Sequence, residues 1–138
     1  MRFTLWPSRY GVAALASLPP LPGSDAGSPP LMVVQEAAEV TLVAPEEVLD
    51  TLGSKVLRRS QGWRALTLDG VFPLEAVGVL AALTRALAEA RVPVMAFSSF
   101  GTDHLLVPEG QLGRALAALA QVSLPALGGR VSSPAVSR

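Results

Sequence analysis

The sequence predicts an α+β fold in which helices cover one face of an antiparallel sheet. Two stretches, residues 31–43 and 95–107, share one order of events: a β-forming run, a polar elbow, a second β-forming run and then a helix start. Between them, the apolar pattern of residues 74–89 predicts a long amphipathic helix. Strands that alternate with helices packed on one face are typical of the ferredoxin-like type, here as two tandem β(α)ββα units.

The composition predicts a soluble, cytoplasmic protein and excludes several functional classes. The chain has 138 residues, and its eleven basic residues balance its eleven acidic ones, so the net charge gives no electrostatic case for nucleic acid or an anionic membrane. It has no cysteine, which excludes disulfides, thiol nucleophiles and cysteine-ligated zinc and suits a reducing cytoplasm. No apolar run approaches the roughly 18 residues that a membrane-spanning helix needs.

Residues 1–60 are predicted to form an N-terminal, degenerate unit. Its link over residues 18–30 holds five of the twelve prolines in the chain, and this composition excludes a helix or a central strand. The predicted elements are a strand over 3–16 with a break at Pro7, strands over 31–34 and 40–43, and a helix that begins after Pro45 and ends near Gly53.

Residues 61–123 are predicted to form the complete, C-terminal unit, with a polar boundary over residues 58–62. Its predicted elements are a strand over 63–69, a helix over 74–89 introduced by Pro73, a hairpin over 93–108, a helix over 109–121 and a disordered tail over 124–138. The residues of the predicted helix that share one stripe are Leu74, Val77, Leu80, Ala81, Thr84, Leu87 and Ala88.

The elbow of the second hairpin is the most polar stretch beside β-forming sequence. Ser98, Ser99 and Thr102 offer hydroxyls, Asp103 offers a carboxylate, and Gly101 lets a partner approach the backbone closely. This set suits a zwitterionic or polar small molecule. The same residues also suit a turn that satisfies its own backbone, and the sequence leaves both interpretations open.

No set of residues predicts catalysis, a metal site or a cofactor. The single histidine, His104, follows Asp103 on a predicted strand, so the two side chains should point to opposite faces and not act as a pair. We expect His104 to pack against a helix or the solvent. No nucleophile elbow and no phosphate-binding glycine run is present, and the prediction is therefore a protein that is not an enzyme.

Three segments resemble a known family. FTLWPSRYGVAAL at residues 3–15, GWRALTLDG at 62–70 and VMAFSSFGTDHLLVPEGQL at 94–112 together resemble the small bacterial ACT-domain proteins, whose ACT modules are similar to those of the cytosolic arginine sensors. The resemblance spans residues 3–121 and is most specific over 98–107. It implies ferredoxin-like modules that bind an amino acid where two modules meet, and that regulate without catalysing.

Carried over by position, the resemblance implies a ligand site of two segments. One is the elbow, with Ser99 and Asp103 as polar anchors, and the other is a loop that offers backbone groups to a carboxylate. The residues of the site are Ser98, Ser99, Phe100, Gly101, Thr102 and Asp103 in the elbow, and Asp69, Gly70, Val71 and Phe72 in the loop. The chain departs from the family at Gly101, where a second aromatic or charged residue is common, and at the proline-rich link.

Two functions follow as hypotheses. The first is a non-catalytic, homodimeric regulator that binds an amino acid between ACT modules, with no nucleic-acid or membrane partner. The alternative is a structural or protein-interaction module whose ligand site is vestigial.

Overall fold

The structure, a computed structural model, describes residues 2–124 as a six-stranded antiparallel sheet with helices on one face. The strand order is β2-β3-β1-β4-β6-β5. The elements are β1 (Phe3–Leu15), β2 (Met32–Gln35), β3 (Val40–Pro45), α1 (Glu46–Asp50), β4 (Val56–Leu68), α2 (Val79–Glu89), β5 (Met95–Ser98), β6 (Asp103–Pro108) and α3 (Leu112–Ala120). The tail predicted over 124–138 lies outside the described residues except for Leu124.

The two long strands, β1 and β4, pair side by side at the centre of the sheet. Their ladder is interrupted between Leu5 and Arg9, around the predicted break at Pro7, which has no amide hydrogen to donate. Residues 58–62, predicted as a boundary, instead lie within β4. Their polarity has another cause, because Arg58 forms an ion pair with Glu39 and Arg59 forms one with Asp50.

The two halves repeat one plan of a long strand, a connection, a hairpin and a helix. The first hairpin ends in the pair Gln35 with Val40, and the second ends in the pair Ser98 with Asp103. Val40 therefore occupies the position of Asp103. The sequence had suggested Glu39 for this position, and the ladder register corrects that alignment by one residue.

The helices and the sheet enclose two apolar clusters, while a third lies on the opposite, uncovered face. As the alternation of residues 63–68 predicted, Leu66 and Leu68 pack against α2 and α3, whereas Trp63 and Ala65 belong to the uncovered face. The buried residues of the uncovered face are Trp6, Tyr10, Val43, Ala65 and Leu106. The sheet is thus packed on both faces, although helices cover only one.

Helix α2 begins later than the sequence predicted. Its first residue is Val79 and not Leu74, because Gly78 adopts a left-handed φ of 89° immediately before it. The residues of α2 that are buried are Val79, Leu83 and Leu87. The predicted stripe was therefore wrong in phase, and its first two members, Leu74 and Val77, are exposed in the preceding loop.

The proline-rich link is irregular, as predicted, and stands where the second half has α2. Its residues Pro19 to Pro22 face α1 across an apolar cleft. The buried hydroxyl of Tyr10 donates a hydrogen bond of 2.7 Å to the carbonyl oxygen of Pro30 and anchors the end of the link. No helix among residues 2–124 is long and apolar enough to cross a membrane.

Candidate functional site

The two predicted site segments meet in a pocket of about 170 Å³ between the β5–β6 elbow and the loop before α2. The amide of Phe72 donates to the carbonyl oxygen of Gly101 at 2.9 Å, and the hydroxyl of Thr102 donates to the carbonyl oxygen of Leu68 at 2.5 Å. These bonds hold the elbow against the loop. The lining residues are Phe72, Pro73, Leu74, Ala76, Val79, Leu80, Ser98, Ser99, Phe100, Thr102 and Asp103.

Four of the ten predicted site residues do not line this pocket. Val71 and Gly101 lie behind it, where a Cβ built on Gly101 would come within 3.9 Å of the Val71 side chain. Asp69 is exposed and accepts a hydrogen bond of 2.7 Å from the Thr4 hydroxyl. Gly70 turns the chain with a φ of 105°, which favours glycine.

The backbone groups nearest the pocket differ from those predicted. The amide of Phe72 is already bonded to Gly101, so the loop 69–72 cannot offer it to a carboxylate. Instead, Val79 and Leu80 in the first turn of α2 line the pocket. This helix start has no side-chain cap and no acidic residue in its first turn. Sequence reasoning missed both residues because it began the helix too early, and Gly78 was the signal that could have found them.

Asp103 lines the same pocket. One of its carboxylate oxygens accepts a hydrogen bond of 2.6 Å from the Ser98 hydroxyl, and its side chain is partly exposed. Within residues 2–124, no arginine or lysine forms an ion pair with it. The pocket therefore carries a negative charge that the described protein does not neutralise.

Ser99 is the end of a chain of side-chain hydrogen bonds that crosses to the uncovered face. Its oxygen lies 3.0 Å from Nε2 of His104. Nδ1 of His104 lies 2.9 Å from the hydroxyl of Thr67, which accepts a hydrogen bond of 2.8 Å from the indole of Trp6. We predicted that His104 packs against a helix or the solvent. Instead, it is only 5% exposed and its ring bonds to Thr67 and Ser99. Asp103 bonds to the Ser98 hydroxyl, and that it does not act as a pair with His104 stays a prediction.

The rim of the pocket is apolar and open. The lining residues Leu74 and Phe100 are 64% and 85% exposed, and Val77, which does not line the pocket, is 84% exposed. Exposed apolar side chains that lie together beside polar groups are typical of a site that binds a ligand or another protein. The described residues contain no group of three or more acidic, histidine or cysteine side chains placed to hold a metal ion.

Comparisons with known proteins identify the fold of this chain. A sequence profile of the ACT domain matches residues 58–121. The chain is also similar to the solved regulatory subunit of aspartate kinase from Thermus thermophilus, in its ligand-free form, with 17% identity, a TM-score of 0.60, and coverage of 89% of this chain and 97% of that one. The chain has an ACT fold.

Two other solved structures are similar to this chain. A protein from Agrobacterium tumefaciens is 24% identical with a TM-score of 0.68, over 86% of this chain and 85% of that one. A Vibrio cholerae protein of unknown function, described as a possible transport protein, is 23% identical with a TM-score of 0.66, over 88% of each chain. A search of curated proteins finds no match. The structural similarities span both halves, whereas the profile match covers only the half that contains the pocket.

Proposed function

We propose that this protein is a non-catalytic regulator that binds a free amino acid in the pocket between the elbow and α2. The observation that carries the proposal is the pairing of two opposite electrostatic features in one pocket. Asp103 lines the pocket without a cationic partner in residues 2–124, and the uncapped start of α2 lines the same pocket. An amino acid carries the complementary pair of charges.

Each of these two features suits one charged group of an amino acid. Asp103 would accept charge-assisted hydrogen bonds from an ammonium or guanidinium group. The first amides of α2, at Val79 and Leu80, have no partner within the helix and attract an anion such as a carboxylate. The apolar lining of Phe72 and Ala76 would contact the aliphatic part of the ligand.

The size of the pocket supports binding between two modules. Pockets for small molecules usually have volumes of about 300–1,000 Å³, and this one has about 170 Å³ and an open apolar rim. A second ACT module placed over Leu74 and Phe100 would bury that rim and enclose the ligand. We therefore include a homodimer in the proposal.

The comparisons support regulation over catalysis. Solved structures with this fold include regulatory subunits of aspartate kinase from Thermus thermophilus and Thermus flavus. The resemblance to arginine sensors makes L-arginine the first ligand to test, and the absence of cysteine suits a cytoplasmic location.

A thermal-shift panel of the twenty L-amino acids tests the proposal. A ligand at about one hundred times its Kd adds about 2.7 kcal/mol to the free energy of unfolding, which raises the melting temperature by several degrees. Asp103→Asn should abolish the shift, because it keeps an acceptor for Ser98 and removes the charge. Asp69→Asn is the matched control, because Asp69 is exposed and does not line the pocket, and its shift should equal that of the wild type.

The outcomes separate this function from a protein-interaction module with a vestigial site. If no amino acid at millimolar concentration moves the midpoint, the binding proposal fails, and the exposed rim is then best explained as a contact surface for another protein. If Asp103→Asn still responds like the wild type, the anchor for the ligand lies elsewhere.

A further inference from the structure

The hydrogen-bond chain behind Ser99 has a fixed direction. It is set by Ser99, whose one hydroxyl hydrogen is donated to the carbonyl oxygen of Thr102 at 3.2 Å, and a carbonyl oxygen can only accept. Nε2 of His104, 3.0 Å from the Ser99 oxygen, must therefore carry a hydrogen and donate it. The neutral imidazole then has an unprotonated Nδ1, which accepts from the Thr67 hydroxyl at 2.9 Å, and the Thr67 oxygen in turn accepts from the indole of Trp6, which can only donate.

The same two bonds of Ser99, to Thr102 and from His104, decide what its hydroxyl offers to the pocket. Ser99 has therefore used its one hydrogen and one of its two lone pairs. The remaining lone pair is what Ser99 offers to a ligand, and Ser98 has likewise used its hydrogen on Asp103.

We propose that Trp6, Thr67 and His104 are positioning residues that hold the Ser99 hydroxyl as a hydrogen-bond acceptor toward the pocket, so that the pocket floor selects the cationic group of its ligand. This inference rests on the proposed function. It adds that the floor of the pocket, formed by Ser99 and Asp103, presents hydrogen-bond acceptors only. It also adds that residues on the uncovered face of the sheet help to hold Ser99 in this role. The three positioning residues are buried, with exposures of 9% or less, and do not line the pocket.

The first half of the chain shows that the fold does not require this relay. Thr67 pairs with His104 across the β4–β6 ladder, and the corresponding pair across β1–β3 is Ala14 with Thr41. Alanine has no hydrogen-bonding side chain, so the first half cannot build the same chain. The pair of Thr67 with His104, on which the relay depends, therefore occurs only in the half that contains the pocket.

The single histidine makes the relay directly measurable. His104 is the only histidine in the chain, so ¹⁵N-histidine labelling gives two ring resonances that need no assignment by mutation. At a pH of about 8, where histidine is ordinarily neutral, we expect a protonated Nε2 and a hydrogen-bonded, unprotonated Nδ1. A hydrogen on Nδ1 in the wild type would overturn the inference.

Three variants test the direction of the chain. Thr67→Val removes the hydroxyl, and the Nδ1 resonance should move toward that of a nitrogen without a hydrogen bond, whereas Thr67→Ser should restore the wild-type position. Trp63→Phe is the matched control, because the Trp63 indole donates to Ser60 on the same face and is not part of the relay. An Nδ1 resonance that Thr67→Val leaves unmoved contradicts the relay. Thermal melts confirm that each variant is folded.

Ligand binding tests the selectivity. The wild type and Thr67→Ser should bind an L-amino acid from the panel and not its N-acetyl derivative, which lacks the ammonium group. Thr67→Val should bind that amino acid about tenfold more weakly, the usual effect of one hydrogen bond. Equal affinities of Thr67→Val and Thr67→Ser would overturn the inference while leaving the proposed function in place. If the wild type binds no amino acid, the proposed function and the ligand part of this inference both fail. The ring resonances of His104 then still decide whether the relay has the proposed direction.

Discussion

The two elbows of the sheet have the same backbone and different chemistry. In the first, the amide of Glu36 donates to the carbonyl oxygen of Glu39 at 2.9 Å, and in the second the amide of Ser99 donates to that of Thr102 at the same distance. The side chains diverge completely. Glu39 pairs with Arg58 at the surface, whereas Thr102 is buried and bonded to Leu68. A repeated backbone therefore does not repeat a site.

The covering segment explains why only one elbow borders the candidate pocket. In the second half, the loop before α2 reaches the elbow through the bond between Phe72 and Gly101, and the helix start completes the wall. In the first half, the link lies against α1, and Val40, at the position of Asp103, is 3% exposed in the apolar cluster under that helix. The same position belongs to the apolar core in the first half and lines the pocket in the second half.

The largest expected effect comes from exchanging those two positions. Val40→Asp places an unpaired carboxylate among Ala13, Leu15 and Leu42, and should lower the free energy of unfolding by about 3–5 kcal/mol. Asp103→Val, the reciprocal control, removes a partly exposed side chain and should change it by about 1 kcal/mol or less. Urea denaturation of both variants measures the contrast. Equal stabilities would mean that the two positions are interchangeable.

A second contrast concerns the two covering segments. Leu83 of α2 is fully buried, so Leu83→Ala should cost about 2–5 kcal/mol of unfolding free energy through lost contacts and a cavity. Leu21 in the proline-rich link is 44% exposed, and Leu21→Ala should cost about 0.5 kcal/mol or less. A cost for Leu21→Ala that matched that of Leu83→Ala would show that the link covers its half as tightly as the helix does.

The hydrogen bond by which Tyr10 anchors the link should make the free energy of unfolding depend on pH. Burial, and secondarily the negative charge of Glu47, raise the pKa of Tyr10 above its ordinary value of 10.0. The unfolded chain ionises first, so the contribution of Tyr10 to stability is complete below pH 10 and is lost as the pH rises above it. Tyr10→Phe should cost about 1 kcal/mol at neutral pH through the lost bond to Pro30.

That cost should shrink at alkaline pH. Denaturation of the wild type and Tyr10→Phe at neutral pH and above pH 10 measures the difference, and tyrosinate absorbance reports on Tyr10 alone because it is the only tyrosine. A cost for Tyr10→Phe that stayed constant across this range would show that Tyr10 ionises equally well in the folded protein.

The smallest expected effect concerns the ion pair of the first elbow. The side chains of Arg58 and Glu39 are 73% and 38% exposed, so Glu39→Gln should cost about 0.2–1 kcal/mol, and less at high salt. The variant should leave any amino-acid response unchanged, because Glu39 does not line the pocket. A lost response in the thermal-shift panel would show that the first elbow takes part in binding.

Local sequence patterns predicted most of the elements, and two wrong predictions show the limit of such patterns. The alternation of residues 63–68 and the hairpin around the second elbow were confirmed, since period two reflects the pleat of each strand. The start of α2 was wrong because Gly78 adopts a left-handed φ that the apolar period does not reveal. The boundary at 58–62 was wrong because its arginines pair with residues elsewhere on the sheet and within α1.

What the sequence determined by itself was the type of fold and the elbow that borders the pocket, because strand alternation, helix periodicity and turn residues act over a few neighbouring positions. Only the tertiary structure decided which residues share that pocket and which residues form the hydrogen-bond chain that ends at Ser99. Trp6, Thr67 and His104 are separated by tens of residues along the chain, and they meet because β1, β4 and β6 are neighbours in the sheet. The direction of their hydrogen bonds follows from contacts that no local pattern contains.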